Sequence, residues 1–372
     1  MYKVLEKNSF SENIVVEPVM KPAMQSTMKA ARFYKPNEPF RIEQVPLPRI
    51  NSNKVLVNIK ACGICRGDVQ RFHGEIKIPF MPMTLGHEPA GVIAEIGRDV
   101  KTELKVGDKV AVIAVGCGDC YYCRKGHDNL CEAIPKGLGI AKDGCYAEYV
   151  VADPRQLFKL PDNVPIEAGA VLAGPTGTAY HAINVANPSL GDFVVIFGAG
   201  CLGTQALQLL KMRGVTVSVV DISDTKLEIA KAFGADYIIN AKRHDPVAEI
   251  KKITDGRGAY AALEFIGLPV TLLQAIDCLD KGGRVIDIGS VMTPVEISVA
   301  PFSDKGLSLN KEVSLMTVTH FKISEAQALM NILASGKLDS QTGTAHVSLD
   351  EINKGFEIKE KSDQYMRVIV HP

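Results

Sequence analysis

The segment 61–88 carries four side chains whose types suit a metal ion. Cys65 supplies a thiol and His87 an imidazole, with Asp68 three residues after the thiol and Glu88 directly after the imidazole. Sulfur, nitrogen and carboxylate oxygen are ligands that Zn²⁺ takes in sites where one position stays open for water or a substrate. Cys65 and His87 are far apart in the sequence, however, and they also fit a buried cysteine and a histidine that bind no metal. The metal interpretation therefore depends on the rest of the chain.

A second metal-binding pattern lies in residues 117–131, which read CGDCYYCRKGHDNLC. The spacing Cys-x2-Cys-x2-Cys-x7-Cys places four thiols in one short segment, with glycines that allow tight turns. Four thiolates that close a tetrahedron bind a structural zinc ion and leave no open position. An iron–sulfur cluster, which also takes four cysteines, is the alternative. The predicted ligands of the structural zinc are Cys117, Cys120, Cys123 and Cys131.

A nucleotide-binding fingerprint follows later in the chain. Gly198, Gly200 and Gly203 form G-x-G-x-x-G directly after the apolar run DFVVIF, at the predicted start of a helix. The first glycine permits a tight turn, the second admits a pyrophosphate close to the backbone, and the third lets the helix pack on the strand. Asp221 ends the next predicted strand, 18 residues after Gly203. Because a carboxylate there accepts hydrogen bonds from ribose hydroxyls and repels a 2′-phosphate, the pattern favours NAD over NADP.

Two kinds of secondary structure surround these motifs. Before Pro175, short segments that alternate apolar and polar residues predict the strands of a compact, barrel-like β domain. From Asp192 onward, apolar strands alternate with helical segments, which is typical of a doubly wound parallel sheet. The clearest predicted strands of the β domain are 54–60, 91–97, 106–115 and 146–152. The alternating part is predicted as strand 192–197, helix 204–212, strand 215–221, helix 224–233, strand 237–239, helix 246–253, strand 261–265, helix 269–279 and strand 284–289.

Composition argues against several classes of function. The 372 residues suit about two domains. With 42 basic and 42 acidic residues, no net charge favours nucleic acid or an anionic membrane. The sequence has no run of about 18 apolar residues and no apolar signal-peptide core. Nine cysteines, four of them clustered, indicate metal binding or catalysis in a reducing compartment rather than disulfides. We therefore expect a cytoplasmic protein.

In order along the chain, these motifs resemble those of the medium-chain, zinc-containing alcohol and polyol dehydrogenases. The segments GICRGDV, GHEPAGVIAEIG and VGDKV, the four-cysteine lobe, GAGCLG with Asp221, and GGRVIDIG match that family across residues 28–372. The resemblance implies an α/β fold in which a Rossmann domain, with a doubly wound parallel sheet, is inserted in a split, mainly β, GroES-like catalytic domain. The expected units are an N-terminal extension at 1–27, catalytic-domain parts at 28–180 and 319–372, and the nucleotide-binding domain at 181–318.

The resemblance also implies a reaction and a set of site residues. A catalytic zinc ion acts as a Lewis acid on the alcohol oxygen while a hydride passes to NAD. By position, Cys65 and His87 are zinc ligands and Glu88 is an alternative ligand. Asp68 hydrogen-bonds the far nitrogen of His87 and fixes its tautomer. The expected cofactor-binding residues are Gly198, Gly200, Cys201, Leu202, Gly203, Asp221, Gly267 and Arg367. The expected partner is a small alcohol or carbonyl substrate, and a homodimer or homotetramer is usual for this resemblance.

Three positions depart from the family pattern. Gly67 stands where a serine or threonine usually takes the substrate proton, and Gln70 stands where a histidine often passes that proton to solvent. Gly174 stands where the third protein ligand, a cysteine or an acidic residue, is usually found. His73 and His181 are nearby in sequence and are candidates for a substitute proton carrier. An ordinary surface or cleft role is the competing reading for both histidines.

These departures leave several readings open. In one, Cys65, His87 and Glu88 hold the catalytic zinc, and the proton leaves through water or the ribose. In a second, the site binds zinc poorly and the protein is a metal-independent NAD(P)H reductase of an activated C=C or carbonyl. In a third, the substrate supplies its own ligand or base, such as an amino or carboxyl group. A non-catalytic NAD-binding protein that retains the fold is the last alternative.

Overall fold

The computed structural model describes residues 26–134, 137–289, 291–303 and 305–372. Nearly all of the predicted N-terminal extension, 1–27, lies outside the described residues. In those ranges, no helix is long and apolar enough to cross a membrane. The strands are β1 Thr27–Phe33, β2 Arg41–Pro46, β3 Val55–Gly63, β4 Met83–Thr84, β5 Glu88–Ile96, β6 Lys109–Val112, β7 Tyr149–Ala152, β8 Leu157–Lys159, β9 Phe193–Phe197, β10 Thr216–Asp221, β11 Tyr237–Asn240, β12 Ala259–Glu264, β13 Leu279–Asp287, β14 Val299–Ala300, β15 Leu307–Ser308, β16 Ser314–Thr317, β17 Thr344–Ser348 and β18 Arg367–His371. The α-helices are α1 Arg66–Phe72, α2 Tyr121–Arg124, α3 Ile166–Val171, α4 Gly177–Ala186, α5 Cys201–Met212, α6 Asp224–Ala232, α7 Pro246–Ile253, α8 Pro269–Asp277, α9 Ala326–Ala334 and α10 Ile352–Lys361.

The first and last parts of the chain build one mainly β unit. Its larger sheet has the order β17-β18-β3-β5-β6-β8, with β7 also paired to β3. A smaller sheet has the order β2-β1-β4. Because β18 pairs antiparallel with β3, the C-terminal segment completes a sheet that the N-terminal segment begins. The predicted split, mainly β domain is thus confirmed as fold class, whereas the residue boundaries between domains stay predictions.

The middle of the chain forms the predicted parallel sheet. Its six strands have the order β11-β10-β9-β12-β13-β16, and every pairing between them is parallel. The apolar run of β9 is central and buried, as expected for a strand covered on both faces. The strand order reverses between β9 and β12, and ligands of such sheets bind outside the carboxyl ends at this point. The fingerprint glycines follow β9 directly.

One predicted boundary in this sheet is wrong. Strand β13 begins at Leu279 rather than at residue 284, because Leu279 already pairs with Ala259 of β12. A register shift between Ala259 and Ala261 then separates this first pair from the regular ladder. Gly282 and Gly283, which precede the predicted strand, lie inside β13 next to this register shift, and glycine is common at such β-bulges.

A helical segment runs from α3 into α4 through an irregular turn. Residues Leu172–Thr176 form a π-helical stretch that contains Pro175. Proline has no N–H to donate and so disturbs the regular hydrogen-bond ladder, and π-turns often lie at functional sites. The irregular turn places Gly174 on the wall of the cleft between the two sheets.

Candidate metal and nucleotide sites

A cleft of about 1010 Å³ separates the mainly β unit from the parallel sheet. Side chains from both units line it: Cys65 and His87 on one side, and Leu202, Phe265 and Ile288 on the other. The first pair belongs to the predicted metal site, and Leu202 belongs to the predicted nucleotide loop. The fold therefore brings the two predicted functional regions to opposite walls of one cavity.

The antiparallel pairing of β3 with β5 brings the cleft ligands together. Gly63 at the end of β3 pairs with Glu88 at the start of β5, so residues just beyond these ends are neighbours. Cys65 is the N-terminal capping residue of α1, and His87 directly precedes β5. The ligand atoms of Cys65, His87 and Glu88 all lie within 4.8 Å of one another. A thiol, an imidazole and a carboxylate at this separation, facing a cleft, fit a zinc ion with an open position.

Two glycines make the space that Glu88 occupies. A Cβ atom on Gly174 would lie 2.5 Å from Cδ and 2.7 Å from Cγ of Glu88, and would overlap with its Oε1. A Cβ atom on Gly63 would overlap with Oε2 of the same carboxylate. Burial raises the pKa of Glu88, and the opposing effect of His87 does not outweigh it. The Glu88 carboxylate therefore lies where a side chain at position 174, the usual third ligand, would otherwise project.

Asp68 orients the histidine of this cluster. It is fully buried, and its Oδ1 lies 3.2 Å from Nδ1 of His87. Tyr146 donates its hydroxyl to Oδ2 at 2.8 Å, and the backbone N–H of Cys65 donates to the same oxygen at 3.2 Å. Burial alone would raise the pKa of Asp68, but His87 and Tyr146 outweigh it, so this pKa lies below its usual value. Because an ionised carboxylate only accepts, Nδ1 carries the proton and Nε2 is left for a metal.

The four cysteines of the lobe form the second cluster. Their sulfur atoms all lie within 4.8 Å of one another, with Cys120 at 3.5 Å from Cys123 and 3.7 Å from Cys131. Zinc–sulfur bonds of about 2.3 Å in a tetrahedron place sulfur atoms about 3.8 Å apart. Backbone N–H groups point at two of the sulfurs, and those on Cys117 lower its pKa to about 7. The lobe therefore holds four sulfur atoms in the arrangement that a structural zinc ion requires.

The fingerprint glycines have the geometry that a pyrophosphate needs. Gly198 has a φ of +102°, which favours glycine. The place of a Cβ on Gly203 is already taken by the carbonyl oxygen of Gly198, so α5 packs closely on β9. Around Gly200, no described atom lies within 4 Å of the corresponding point. The backbone there is open to a ligand at the N-terminus of α5.

Asp221 holds the same loop in place. Its Oδ2 accepts a hydrogen bond from the N–H of Ala199 at 2.8 Å, and Oδ1 accepts from Ile222 at 2.7 Å and Ser223 at 3.0 Å. The carboxylate stands at the carboxyl end of β10, beside the strand-order reversal. Oδ2 has a further lone pair for a ribose hydroxyl, whereas Oδ1 already accepts two hydrogen bonds. Its negative charge would repel a 2′-phosphate at the same place.

The two remaining predicted cofactor residues are placed differently from each other. Gly267 has a φ of +79° and donates its N–H to both carboxylate oxygens of Glu264 at 3.0 Å, which shapes the loop after β12. Arg367 is buried, with Nε 3.1 Å from Sγ of Cys201 and Nη1 2.5 Å from the carbonyl oxygen of Ser340. Its guanidinium therefore lies against the first residue of α5.

The predicted substitute proton carriers lie elsewhere. His73 contacts Asn37 and Glu360 on the surface, because α1 ends at Phe72 and turns the next side chain outward. His181 is buried within α4 and bonds to Glu325 at 3.0 Å and to Asn129. Neither imidazole lines the cleft. Their positions favour the competing interpretation, an ordinary structural role, for both histidines.

Sequence reasoning missed two residues that do line the cleft. His320 follows β16 and borders the cavity; burial, together with the charge of His87, lowers its pKa to about 4. Arg66 also borders the cavity and donates Nη1 to the carbonyl oxygen of Ile266 at 2.6 Å, which links the two units. The position just after a strand of the parallel sheet was a usable signal for His320, since such ends carry site residues.

Comparisons with known proteins agree with this geometry. Residues 51–162 match the family model described as alcohol dehydrogenase GroES-like domain, and residues 201–335 match zinc-binding dehydrogenase. An alcohol dehydrogenase from Geobacillus stearothermophilus is 35% identical over 92% of this chain and 99% of its own length. An NAD-dependent alcohol dehydrogenase from Sulfurisphaera tokodaii is 35% identical over 93% of this chain and 100% of its own. The crystal structure of the Aeropyrum pernix alcohol dehydrogenase superimposes with a TM-score of 0.81 at 33% identity, covering 92% of this chain and 100% of that one.

Proposed function

Since the chain belongs to the family of medium-chain, zinc-binding alcohol dehydrogenases, we propose that it is a zinc- and NAD-dependent dehydrogenase. It transfers a hydride between an alcohol or polyol and NAD, or in reverse to the ketone or aldehyde. The observation that carries the proposal is the Glu88 carboxylate, which lies beside Cys65 and His87 in the space left by Gly63 and Gly174. The two alternatives, a metal-independent reductase and a non-catalytic NAD-binding protein, are not favoured.

The zinc-binding role of the cleft cluster follows from its donor set. Cys65, His87 and Glu88 would hold the ion, and Asp68 fixes the His87 tautomer that presents Nε2. A zinc ion held there supplies Lewis-acid polarisation of the substrate oxygen, which lowers the pKa of an alcohol hydroxyl. The lobe cysteines hold a second, structural ion that has no open position.

The opposite wall binds the hydride acceptor. Gly198, Gly200 and Gly203 leave the N-terminus of α5 open to the pyrophosphate, and Asp221 accepts hydrogen bonds from the adenosine ribose. Arg66 and Arg367, one exposed at the cleft and one packed against α5, supply positive charge to the phosphates. Cys201, Leu202 and Gly267 shape this loop and the wall beside it. NAD held by this wall would supply the hydride acceptor for a substrate in the cavity.

The proton must leave without the usual hydroxyl relay. Gly67 has no polar side chain, and the buried Gln70 has an amide nitrogen without a hydrogen-bond partner in the described structure. An amide can hold a water molecule but does not act as a base near pH 7. His320, with a pKa near 4, stays neutral and accepts a proton only weakly. The proton therefore passes to solvent through water or the ribose hydroxyls.

Metal content and turnover together test the proposal. Purified protein should contain about two zinc ions per chain, and NADH absorbance should rise when NAD and a panel of alcohols and polyols are added. Cys65→Ala should lose one zinc ion and the activity, while Cys278→Ser, a buried cysteine outside both clusters, should lose neither. One zinc ion per chain in an active enzyme would refute the assignment. NAD binding without turnover of any alcohol, polyol or ketone would favour the non-catalytic reading.

Self-association is a further part of the proposal. Exposed apolar side chains follow one another in the segment after β13, and Phe302 is 87% exposed. An apolar surface of this kind is typical of a protein interface. We assign it to a homodimer contact between nucleotide-binding units, which light scattering of the purified chain would test, with a Phe302→Glu variant expected to shift the mass to that of a monomer. The other exposed apolar residues of this segment are Met292, Val299 and Leu309.

The cytoplasmic location stays a prediction.

A further inference from the structure

A buried guanidinium opens into the cleft beside the metal cluster. Arg71 is only 9% exposed and lines the cavity. Its Nη1 donates to the carbonyl oxygen of Gly67 at 2.9 Å, and its Nε has no hydrogen-bond partner in the described structure. Among the described residues, no carboxylate lies within ion-pair distance of it. A buried, permanently charged group without an ion pair is costly, which indicates that a ligand completes it.

The guanidinium occupies a position next to the expected metal ligands. The point where a Cβ atom on Gly67 would lie is 3.1 Å from Nη1 of Arg71 and 4.0 Å from Sγ of Cys65. Residues four apart on a helix share one face, and α1 contains both Gly67 and Arg71. The side chain of Arg71 thus fills the space from which related enzymes would present a hydroxyl.

The neighbouring charges leave Arg71 available. Against the effect of burial, the charge of Arg71 helps to lower the pKa of Asp68, but the two Asp68 oxygens already accept from His87, Tyr146 and the backbone of Cys65. The Glu88 carboxylate is enclosed between its two glycines. The amide nitrogen of Gln70, which is 6% exposed and also lines the cavity, is the second buried donor without a partner. Arg71 and Gln70 therefore both border the cavity that contains the cluster, and each has a donor nitrogen without a partner among the described residues.

We infer that the substrate is a short hydroxy acid, whose carboxylate pairs with Arg71 and Gln70 while its carbinol faces Cys65, His87 and Glu88. This inference rests on the proposed function. A planar carboxylate with two oxygens and one negative charge matches one guanidinium and one amide. In the forward reaction the carbinol C–H bond breaks and its hydride reduces NAD⁺, and the hydroxyl proton goes to solvent. The products are the oxo acid, NADH and a proton.

Paired substrates of equal length test the inference on the zinc-loaded enzyme. We expect kcat/KM for 3-hydroxybutyrate to exceed that for 2-butanol and for the methyl ester of the acid by at least tenfold. Arg71→Gln should lower kcat/KM for the acid about 10- to 100-fold, because a charge-assisted hydrogen bond contributes about 1.5–3 kcal/mol, and should leave 2-butanol within about threefold. Arg284→Gln removes another guanidinium whose Nε has no hydrogen-bond partner in the described structure, but it lies outside the cleft. This control variant should change kcat/KM neither for the acid nor for 2-butanol.

A binding measurement separates charge recognition from a merely structural role. NADH fluorescence, followed during titration of the NADH-bound enzyme with ligands that NADH cannot reduce, should report tighter binding of 3-hydroxybutyrate than of 3-hydroxybutyramide or an alkyl phosphate of similar size. Arg71→Gln should abolish the preference, and Arg71→Lys should restore part of it. Equal binding of acid and amide would overturn the inference, and so would an equal fall in kcat/KM for acid and neutral alcohol in Arg71→Gln. A preference for the phosphate would overturn the assignment of the ligand as a carboxylate.

If neutral alcohols alone are oxidised, the inference fails and the proposed function stands. If none of the alcohols or hydroxy acids reduces NAD, the proposed function fails. The fluorescence titration then still decides whether the anion site exists.

Discussion

The cleft cluster and the four-cysteine lobe are both arrangements of zinc-type ligands, but the chain builds them in opposite ways. All four lobe sulfurs come from residues 117–131, and local backbone N–H groups donate to those of Cys117 and Cys131. The cleft cluster joins the end of β3, the first turn of α1 and the start of β5. One arrangement is encoded by spacing, and the other depends on the packing of distant segments.

This difference decides what each cluster tolerates. In the lobe, the donor atoms of the described residues that lie within 4.8 Å of one another are those of the four cysteines, so loss of one cysteine leaves three donors. In the cleft, the usual third ligand is missing at Gly174, yet Glu88 fills the same volume because Gly63 and Gly174 both lack a Cβ. A packed site can therefore replace a donor from one element by a donor from another, provided that the volume is conserved. Four tests, from the largest expected effect to the smallest, examine this contrast.

Exchange of the third donor should have the largest effect. Glu88→Ala removes the carboxylate, and we expect loss of the cleft zinc and a fall in kcat of about a thousandfold, since Lewis-acid activation contributes several kcal/mol. Zinc analysis and NADH absorbance measure the two effects. Gly174→Cys alone should also impair the enzyme, because its Cβ would overlap with Glu88. The double variant should recover part of the zinc and the activity. Full activity in Glu88→Ala would contradict the assignment of the third ligand.

Loss of one lobe cysteine should affect stability more than chemistry. For Cys120→Ser we expect loss of the structural zinc and a decrease of about 4 kcal/mol in the free energy of unfolding, as is typical when a bound metal is lost. The cleft zinc should stay, so total zinc falls to about one ion per chain. Denaturant unfolding and metal analysis measure both. Cys278→Ser is the matched control, and an unchanged zinc content in Cys120→Ser would refute the lobe as a metal site.

The orienting carboxylate should have an intermediate effect. Asp68→Asn keeps the shape of the side chain but removes the charge that holds the proton on Nδ1 of His87. We expect the affinity of the cleft for zinc, measured by competition with a chelator, to fall about 10- to 100-fold. Asp128→Asn is the matched change at the lobe, where Asp128 accepts from the N–H of Ile323 at 2.9 Å, and it should leave this affinity unchanged. An equal loss in both variants would show that Asp68 acts only through folding.

The smallest effect concerns the ion pairs that anchor the lobe. Arg155 donates to the carbonyl oxygen of Cys117 at 2.5 Å and is held by Asp153, which also pairs with Lys54. Burial alone would raise the pKa of Asp153, but hydrogen bonds from Arg155 and Lys54 outweigh it and lower the pKa. A lowered carboxyl pKa gives stability that is present above the unfolded pKa, about 3.9, and is lost as the pH falls below it.

Asp153→Asn should therefore lower the free energy of urea unfolding by about 1 kcal/mol at pH 7, with a difference that shrinks toward pH 3. Glu103→Gln, at an exposed position, should show no such dependence. A constant difference between wild type and Asp153→Asn across this pH range would mean that the charge of Asp153 does not stabilise the lobe anchor.

The same contrast explains what the sequence could predict. Spacing alone located the lobe cysteines and the fingerprint glycines, because each set lies on one short segment with a fixed local geometry. The departures at Gly67 and Gly174 were also visible, but their consequences were not. Whether Glu88 fills the gap depends on atoms brought together by β3 and β5, and no local pattern encodes that volume. Arg71 was within reach of sequence reasoning, because it lies one helical turn after Gly67.

The position of Glu88 also bears on how the two units of the molecule move. Its carboxylate and the other two cleft donors come from residues 65–88, on the mainly β unit alone, while Gly174 offers only space. In a site with its third donor at position 174, a hinge motion that shifts this turn would change the coordination of the ion. Here such a motion leaves the donor set intact. We therefore expect metal retention to be separable from movement of this turn, since Gly174 meets the site through packing against the Glu88 carboxylate.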